Sequence, residues 1–310
     1  DQAGTALMPT AAIIGGGVSG VALASGMSRK GLQNFCLFDS YLKKKAPLKN
    51  QIPFLGGLIL NDRRFVERLS IRHGQRDVPY YRSLLFGGAG AINGCVAALG
   101  AQAQWNTLFD RYSDIAPFSM RIPEGYQVRA SVKGPFDHIL SEALNESGLN
   151  ETNSLYHNNE GHGAINIIRG RVFRPNLTAM LDFDRVVNDP VVAINERHDC
   201  VEVITSKVSY KFDRVVISAG VLGTLKLLST ISSDYLGDNH IKDHPNFRLK
   251  VKLKESKISD NLNLIEKSLT KKISALAKYI FTETGVMQGT GASYVVYKDF
   301  DNDGVVDTKI

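Results

Sequence analysis

The sequence is poor in several features that would narrow a function. Its 310 residues hold 3 cysteines, Cys36, Cys95 and Cys200, odd in number and far apart. That spacing gives neither a disulfide framework nor a zinc-ligand pair. No apolar run reaches the roughly 20 residues of a membrane-spanning helix, so no span is expected. Positive charge is in modest excess, 37 Lys and Arg against 31 Asp and Glu, a net +6. The dense basic clusters are Lys43-Lys44-Lys45 and the weaker pair Lys271-Lys272. Neither is interleaved with the aromatics that stack bases in a single-strand groove. A solvated surface is therefore expected, and nucleic acid is not an expected partner. There are 7 histidines, and none follows His244. The compartment stays open between cytoplasmic and secreted. There is no basic-plus-apolar leader, and the sequons at Asn145, Asn150 and Asn176 would matter only in a secreted protein.

Hydrophobic residues make up 43% of the chain, enough for a core of ordinary size. Residues 11–14 (AAII) read as a short buried strand. A glycine-rich turn follows, then a helix of small residues over 18–30 closed by Gly31, then a strand over 35–39 (FCLFD). This is β-turn-α-β within the length of one mononucleotide-binding unit. Residues 40–86 read as irregular and polar. Residues 136–147 predict an amphipathic helix stopped by Gly148. VEVIT (201–205) and VSYKF (208–212) read as strands. RVVISAG (214–220) reads as a buried strand ending in a glycine turn, and 221–231 as the helix after it. That second strand-turn-helix is expected to return to the first sheet.

Gly15-Gly16-Gly17-Val18-Ser19-Gly20 fits G-x-G-x-x-G in its required setting between strand and helix. Gly15 permits the tight turn, Gly17 lets backbone approach a pyrophosphate, and Gly20 lets the helix pack on the strand. The helix N-terminus, at Val18 and Ser19, offers N–H groups and a positive dipole end to phosphate. Asp39 follows Gly20 by nineteen residues and can accept hydrogen bonds from ribose hydroxyls. The motif alone does not separate FAD from NAD.

Other stretches carry a family resemblance. RSLLFGGAGAINGCVAALG (82–100) holds Gly87, Gly88, Ala91, Ile92, Asn93 and Gly94. VVISAGVLGTLKLLSTIS (215–232) holds Ser218, Ala219 and Gly220. LGDNHIKDHP (236–245), RPNLT (174–178) and YIFTETGVM (279–287) complete the set. In this order they resemble the landmarks of the glucose–methanol–choline (GMC) oxidoreductases. The resemblance implies an α/β fold: a Rossmann-type FAD-binding domain with a central parallel sheet, β-rich segments, and the start of a substrate-binding domain. The FAD-binding domain would be discontinuous over residues 1–250, with core segments 11–40, 82–110 and 136–245. Residues 251–310 would be a partial substrate-binding domain or cap.

FAD is the implied cofactor, its flavin over the 87–94 loop. The implied contacts are Gly15, Gly17, Val18, Ser19, Gly20, Asp39, Gly87, Gly88, Ala91, Asn93, Gly94, Cys95, Ala219, Gly220 and a valine. That valine stands among Val186, Val187, Val191 and Val192, with Val187 taken as the candidate. Cys95 could link a flavin covalently, against its simpler reading as a core thiol. The implied reaction is oxidation of a small-molecule alcohol by hydride transfer to FAD. The family's catalytic histidine lies in a C-terminal segment, and no histidine after His244 supplies it; His244 is a weak stand-in against a loop-holding role. A fragment or split enzyme, a catalytically silent FAD-binding relative, and a second chain completing the site all fit. An NAD-linked Rossmann dehydrogenase would explain only the first forty residues. Asp299, Asp301, Asp303 and Asp307 resemble the opening of a calcium loop, but Ile310 stands where its bidentate Glu belongs, which favours a solvated acidic turn.

Overall fold

Local chemistry alone accounts for residues 11–38. The computed structural model describes residues 10–98, 100–111, 126–130, 135–152, 159–181, 183–236, 268–285, 287, 294–299 and 308–309. Strand β1 (Ala11–Ile14) leads through the glycine turn into α1 (Val18–Arg29), and β2 (Phe35–Phe38) follows. Helix α1 ends where Gly31 takes φ +74. There Gly31 N–H donates to Ser28 O and Leu32 N–H to Met27 O, a Schellman closure that glycine enters without strain. The same closure ends the amphipathic helix at Gly148, φ +85, with bonds to Asn145 O and Leu144 O.

The remaining elements follow in chain order. They are α2 (Leu48–Gln51), β3 (Val66–His73), β4 (Arg76–Ser83), α3 (Gln102–Arg111), β5 (Gln127–Ala130), α4 (Pro135–Glu146), β6 (Gly161–Ala164) and β7 (Asn166–Arg169). Then come β8 (Val186–Val187), β9 (Val191–Glu196), β10 (Val201–Thr205), β11 (Ser209–Phe212), β12 (Arg214–Ile217) and α5 (Gly220–Ile231). The last are α6 (Leu269–Thr282), β13 (Tyr294–Lys298) and β14 (Thr308–Lys309).

The chain divides into two units. The first comprises residues 1–47, 58–92 and 176–248. Its centre is a parallel sheet in the order β12-β1-β2-β8. Ala11 to Ile14 pair with Arg214 to Ile217 on one side and with Phe35 to Phe38 on the other. The second strand-turn-helix thus returns to the first sheet, as the sequence predicts. Side chains of the central strands alternate between two cores, as the strand period of two requires. Ile13, Phe35 and Leu37 pack with Val21 and Ala24 of α1. Ala12, Ile14 and Phe38 pack with Ile194, Val203 and Phe212 of the antiparallel sheet β11-β10-β9, and with Leu227 of α5. Burying each such large aliphatic side chain stabilises the fold by about 1.5–3 kcal/mol.

One expectation is corrected here. Residues 40–86 are not irregular throughout: β3 and β4, eight residues each, form a hairpin closed by Gly74-Gln75, with Gly74 at φ +60. Only Val66 and Ser83, at its base, are buried among its described side chains, so no apolar alternation marks it. Pro79 also lies inside β4. A two-stranded ribbon tolerates a residue without an N–H because each strand has an open edge.

The second unit comprises residues 48–57, 93–175 and 249–310. It holds the sheet β14-β13-β6, the pair β5-β7 and helices α3, α4 and α6. Its most buried charge is Arg169, fully buried with its guanidinium 5.5 Å from the Tyr279 ring centre. Glu283, left-handed at the end of α6, accepts from Arg129 at 2.7 Å and Arg171 at 3.2 Å.

The glycine turn gives a paired stability prediction. A Cβ at Gly20 would lie 1.9 Å from Gly15 O, whereas one at Gly26, inside α1, would meet nothing within 4 Å. Gly20→Ala should cost about 2–3 kcal/mol and lower Tm by about 5–10 °C. Gly26→Ala should stabilise by about 0.5–1 kcal/mol. Thermal unfolding followed by circular dichroism checks both. Equal effects would refute the packing argument.

Candidate functional site

All four strands of the parallel sheet deliver their C-terminal ends to one cavity of about 440 Å³ in the first unit. This is where open parallel sheets bind ligands. The residues after β1 are Gly15 to Ser19, those after β2 are Asp39 to Tyr41, and those after β12 are Ser218 to Gly220; beyond β8 come Asp189 to Val191. Helices α1 and α5 both start at this cavity. Val18 is 49% and Val221 48% exposed, so each helix opens on apolar surface that the protein leaves uncovered.

The glycines divide by what a side chain would meet. At Gly15, φ +111, a Cβ would lie 2.4 Å from Ser218 O. Gly20 is closed off by Gly15 O and by Ser218 Oγ, at 2.7 Å. A Cβ at Gly17 would find its nearest atom at 4.0 Å, and one at Gly220 would find none within 4 Å. Gly15 and Gly20 are therefore bare for packing, while Gly17 and Gly220 are bare on the cavity side. Gly16, an unspecified position of the motif, proves equally constrained: its Cβ would lie 2.3 Å from the Phe86 ring and 2.8 Å from Asp39 Oδ2. No signal near Gly16 in the sequence could have found this, because Phe86 comes from a distant loop.

Asp39 is braced at this turn. Gly16 N–H donates to its Oδ2 at 2.9 Å and Tyr41 N–H to its Oδ1 at 2.6 Å. Burial pushes the Asp39 carboxyl above the usual carboxylate range, and these two bonds pull it part of the way back. Each oxygen keeps a further acceptor position.

The loop 87–91 lies against the glycine turn. Gly87 N–H donates to Gly16 O at 2.8 Å, and Gly87 and Gly88 are left-handed, at φ +94 and +55. A Cβ at Gly90 would come within 2.4 Å of Val18 Cγ2. Of the expected contacts, Gly15, Gly17, Val18, Ser19, Asp39, Gly88, Ala219 and Gly220 line the cavity. Gly20, Gly87 and Ala91 stand behind that lining in the same unit. Val187 pairs with Phe38 inside the sheet, and it is Val191 that lines the cavity. The sequence reading missed Tyr80 to Ser83 at the end of β4, and Lys226 of α5.

Asn93, Gly94 and Cys95 belong to the second unit. Cys95 is left-handed at φ +58, and its N–H donates to Asn93 Oδ1 at 3.1 Å. Burial pushes its thiol up and so favours the protonated, weakly nucleophilic form, an effect the Arg174 guanidinium partly offsets. Arg174, from RPNLT, donates to Asn50 O at 2.5 Å and to Asn93 O at 3.1 Å. Asn176 of the same stretch caps a short turn, its Oδ1 accepting from Thr178 N–H at 3.1 Å. His244, Asp301, Asp303 and Asp307 lie outside the described residues. Asp299 N–H donates to Glu160. Among the described residues no group of His, Cys, Asp and Glu could hold a metal ion, and no helix is long and apolar enough to cross a membrane.

These features define an α/β protein with a four-stranded parallel sheet and a glycine turn at its carboxyl edge. No protein-family model matches the sequence, and no curated protein matches it. Solved structures do share the fold. A formate oxidase variant from Aspergillus oryzae, studied for FAD modification, aligns with TM-score 0.68 at 15% identity, over 94% of this chain and 62% of that one. An FAD-dependent oxidoreductase from Chaetomium thermophilum aligns with TM-score 0.67 at 15% identity, over 92% and 61%. A pyridoxine 4-oxidase aligns with TM-score 0.57 at 16% identity, over 70% and 50%. This chain thus spans about 62% of the length of the formate oxidase it matches.

Asp39 gives a pH prediction. Its carboxyl is raised in the folded state. Between the unfolded value, about 4, and the folded one, the native state holds more protons, so stability falls as pH rises through that window. The unfolding free energy of the parent, measured against Asp39→Asn from about pH 3 to 7, should decline relative to the variant as pH rises. A flat or opposite difference would overturn the assignment.

Proposed function

We propose that this chain is the FAD-binding part of a GMC-type oxidoreductase that oxidises an alcohol-bearing small molecule. One observation carries the reading: two bare glycine faces and two helix starts meet at one cavity with the half-buried Asp39 carboxylate, at the carboxyl edge of a parallel sheet. Two supports come from outside the cavity. The fold is shared with solved enzymes named as FAD-dependent or as oxidases, and the GMC-like landmarks occur in order along the sequence.

The residues fit the cofactor in kind. Gly17, Val18 and Ser19, at the start of α1, would take the pyrophosphate, where the N–H groups of the first turn and the helix dipole favour negative charge. Asp39 would accept from ribose hydroxyls through the lone pairs its backbone bonds leave over. Gly220 would let backbone pass close to the bound nucleotide, and Val191 would offer an apolar wall. Bound FAD supplies the hydride acceptor for alcohol oxidation. A base near the flavin must take the hydroxyl proton. No described residue is assigned that role, which leaves a silent FAD-binding relative as the competing reading. The phosphate-binding residues of the first unit are needed under either reading.

The purified chain, incubated with FAD and desalted, should retain flavin near one per chain and show its absorption bands. Gly17→Ala should fold with unchanged Tm, because its Cβ would find its nearest atom at 4.0 Å, yet lose about tenfold in FAD affinity, roughly 1.4 kcal/mol. No retained flavin, or protection from unfolding by NAD but not FAD, would refute the assignment. Anaerobic bleaching by a panel of alcohols separates an oxidase from a silent relative.

A further inference from the structure

Ser218 is not part of the glycine motif, yet it touches every side of the turn the motif forms. Its N–H donates to Ile14 O at 2.8 Å. Its hydroxyl lies 3.1 Å from Ile14 O and 3.0 Å from Gly15 O, so one proton is shared between two carbonyls 203 and 204 residues away in sequence. Its own carbonyl is what a Cβ at Gly15 would strike, and its Oγ stands 2.7 Å from where a Cβ at Gly20 would be. On its far side Gly15 N–H is held by Phe38 O at 2.9 Å. The peptide between Gly15 and Gly16 is therefore pinned at its carbonyl by Ser218, just after β12, and at its N–H by Asp39, just after β2, while Phe38 holds the peptide before it. Gly15 itself has a backbone (φ +111) that has no such preference of its own.

We propose that Ser218 is a positioning residue for the dinucleotide: its hydroxyl fixes the Gly15–Gly16 peptide and thereby aims the N–H groups at the start of α1 toward the phosphates. The inference rests on the FAD reading above. Its physical content is pre-organisation. A glycine-rich turn left loose must be ordered when ligand binds, and that cost comes out of the affinity. Ser218 prepays the ordering through the sheet, because β12 is locked to β1 by four consecutive residue pairs. The effect should follow the phosphates. A ligand that carries the pyrophosphate uses the turn, whereas stability of the rest of the sheet does not.

The test compares parent, Ser218→Ala and Ser218→Thr by titration with FAD and with ADP, alongside Tm and hydrogen exchange of the Gly15–Gly20 amides. Ser218→Ala should bind both ligands about tenfold more weakly, with faster exchange confined to the turn and a small change in Tm. Ser218→Thr, which keeps the hydroxyl, should restore affinity to within about threefold of the parent. If the parent binds and Ser218→Ala matches it within twofold, roughly 0.4 kcal/mol, the positioning role is refuted while the FAD reading stands. If Ser218→Ala fails to fold, the threonine variant decides: parent-like exchange at the turn with weakened binding of ADP overturns the proposal. If the parent binds neither ligand, both inferences fall together.

Discussion

The first unit depends on one close approach, where the backbone of Ser218 meets the turn at Gly15 and its hydroxyl faces Gly20. A Cβ at Gly15 would lie 2.4 Å from Ser218 O, and one at Gly20 would lie 1.9 Å from Gly15 O. Such contacts are intolerant in both directions. An added carbon forces backbone apart, and a lost hydroxyl leaves two carbonyls sharing less than they held. The gain is that a turn made of the most flexible residue type becomes rigid without any side chain of its own. The glycines thus serve two ends, close packing on one side and open access on the other.

Burial and polarity are arranged around that approach. The parallel sheet is covered on both faces, by α1 on one and by the β9–β11 sheet with α5 on the other. Its carboxyl edge is therefore where polar groups can gather. Asp39 shows the balance struck there. A carboxylate in this position costs desolvation, and the two N–H bonds from Gly16 and Tyr41 offset only part of it. A group held under such tension suits a ligand that brings further hydrogen-bond donors, as a ribose does.

How much was legible follows from the range of each interaction. The closures at Gly31 and Gly148 were readable because a Schellman motif is local, settled within six residues. The glycine turn and its two flanking strands were readable for the same reason. Gly16 was not, since what forbids a side chain there is Phe86, far along the chain. The β3–β4 hairpin was hidden by its surface position and by Pro79: an exposed ribbon needs no apolar alternation, and proline argues against a strand. Arg174 stood inside a recognised stretch, but its hold on the Asn50 and Asn93 carbonyls is a tertiary fact that no spacing encodes. Val187 and Val191 could not be told apart because both have the same chemistry and both pack against one core cluster; only the tertiary arrangement puts Val191 on the cavity wall.

The order of assembly follows from the same topology. β1 and β2 are neighbours in sequence, whereas β12, which flanks β1 on its other side, arrives some 200 residues later. The local β-α-β piece can form early, but its turn has no Ser218 to brace it and no loop 87–91 to cover it. The cradle is completed only by two long-range contacts, β12 on β1 and the 87–91 loop on the turn, and the first of these carries the largest loop-closure cost of the sheet. The geometry of the turn is therefore tied to the most distant pairing of the sheet rather than to the motif alone. A chain in which β12 is unpaired would keep G-x-G-x-x-G and lose the geometry that gives the motif its meaning.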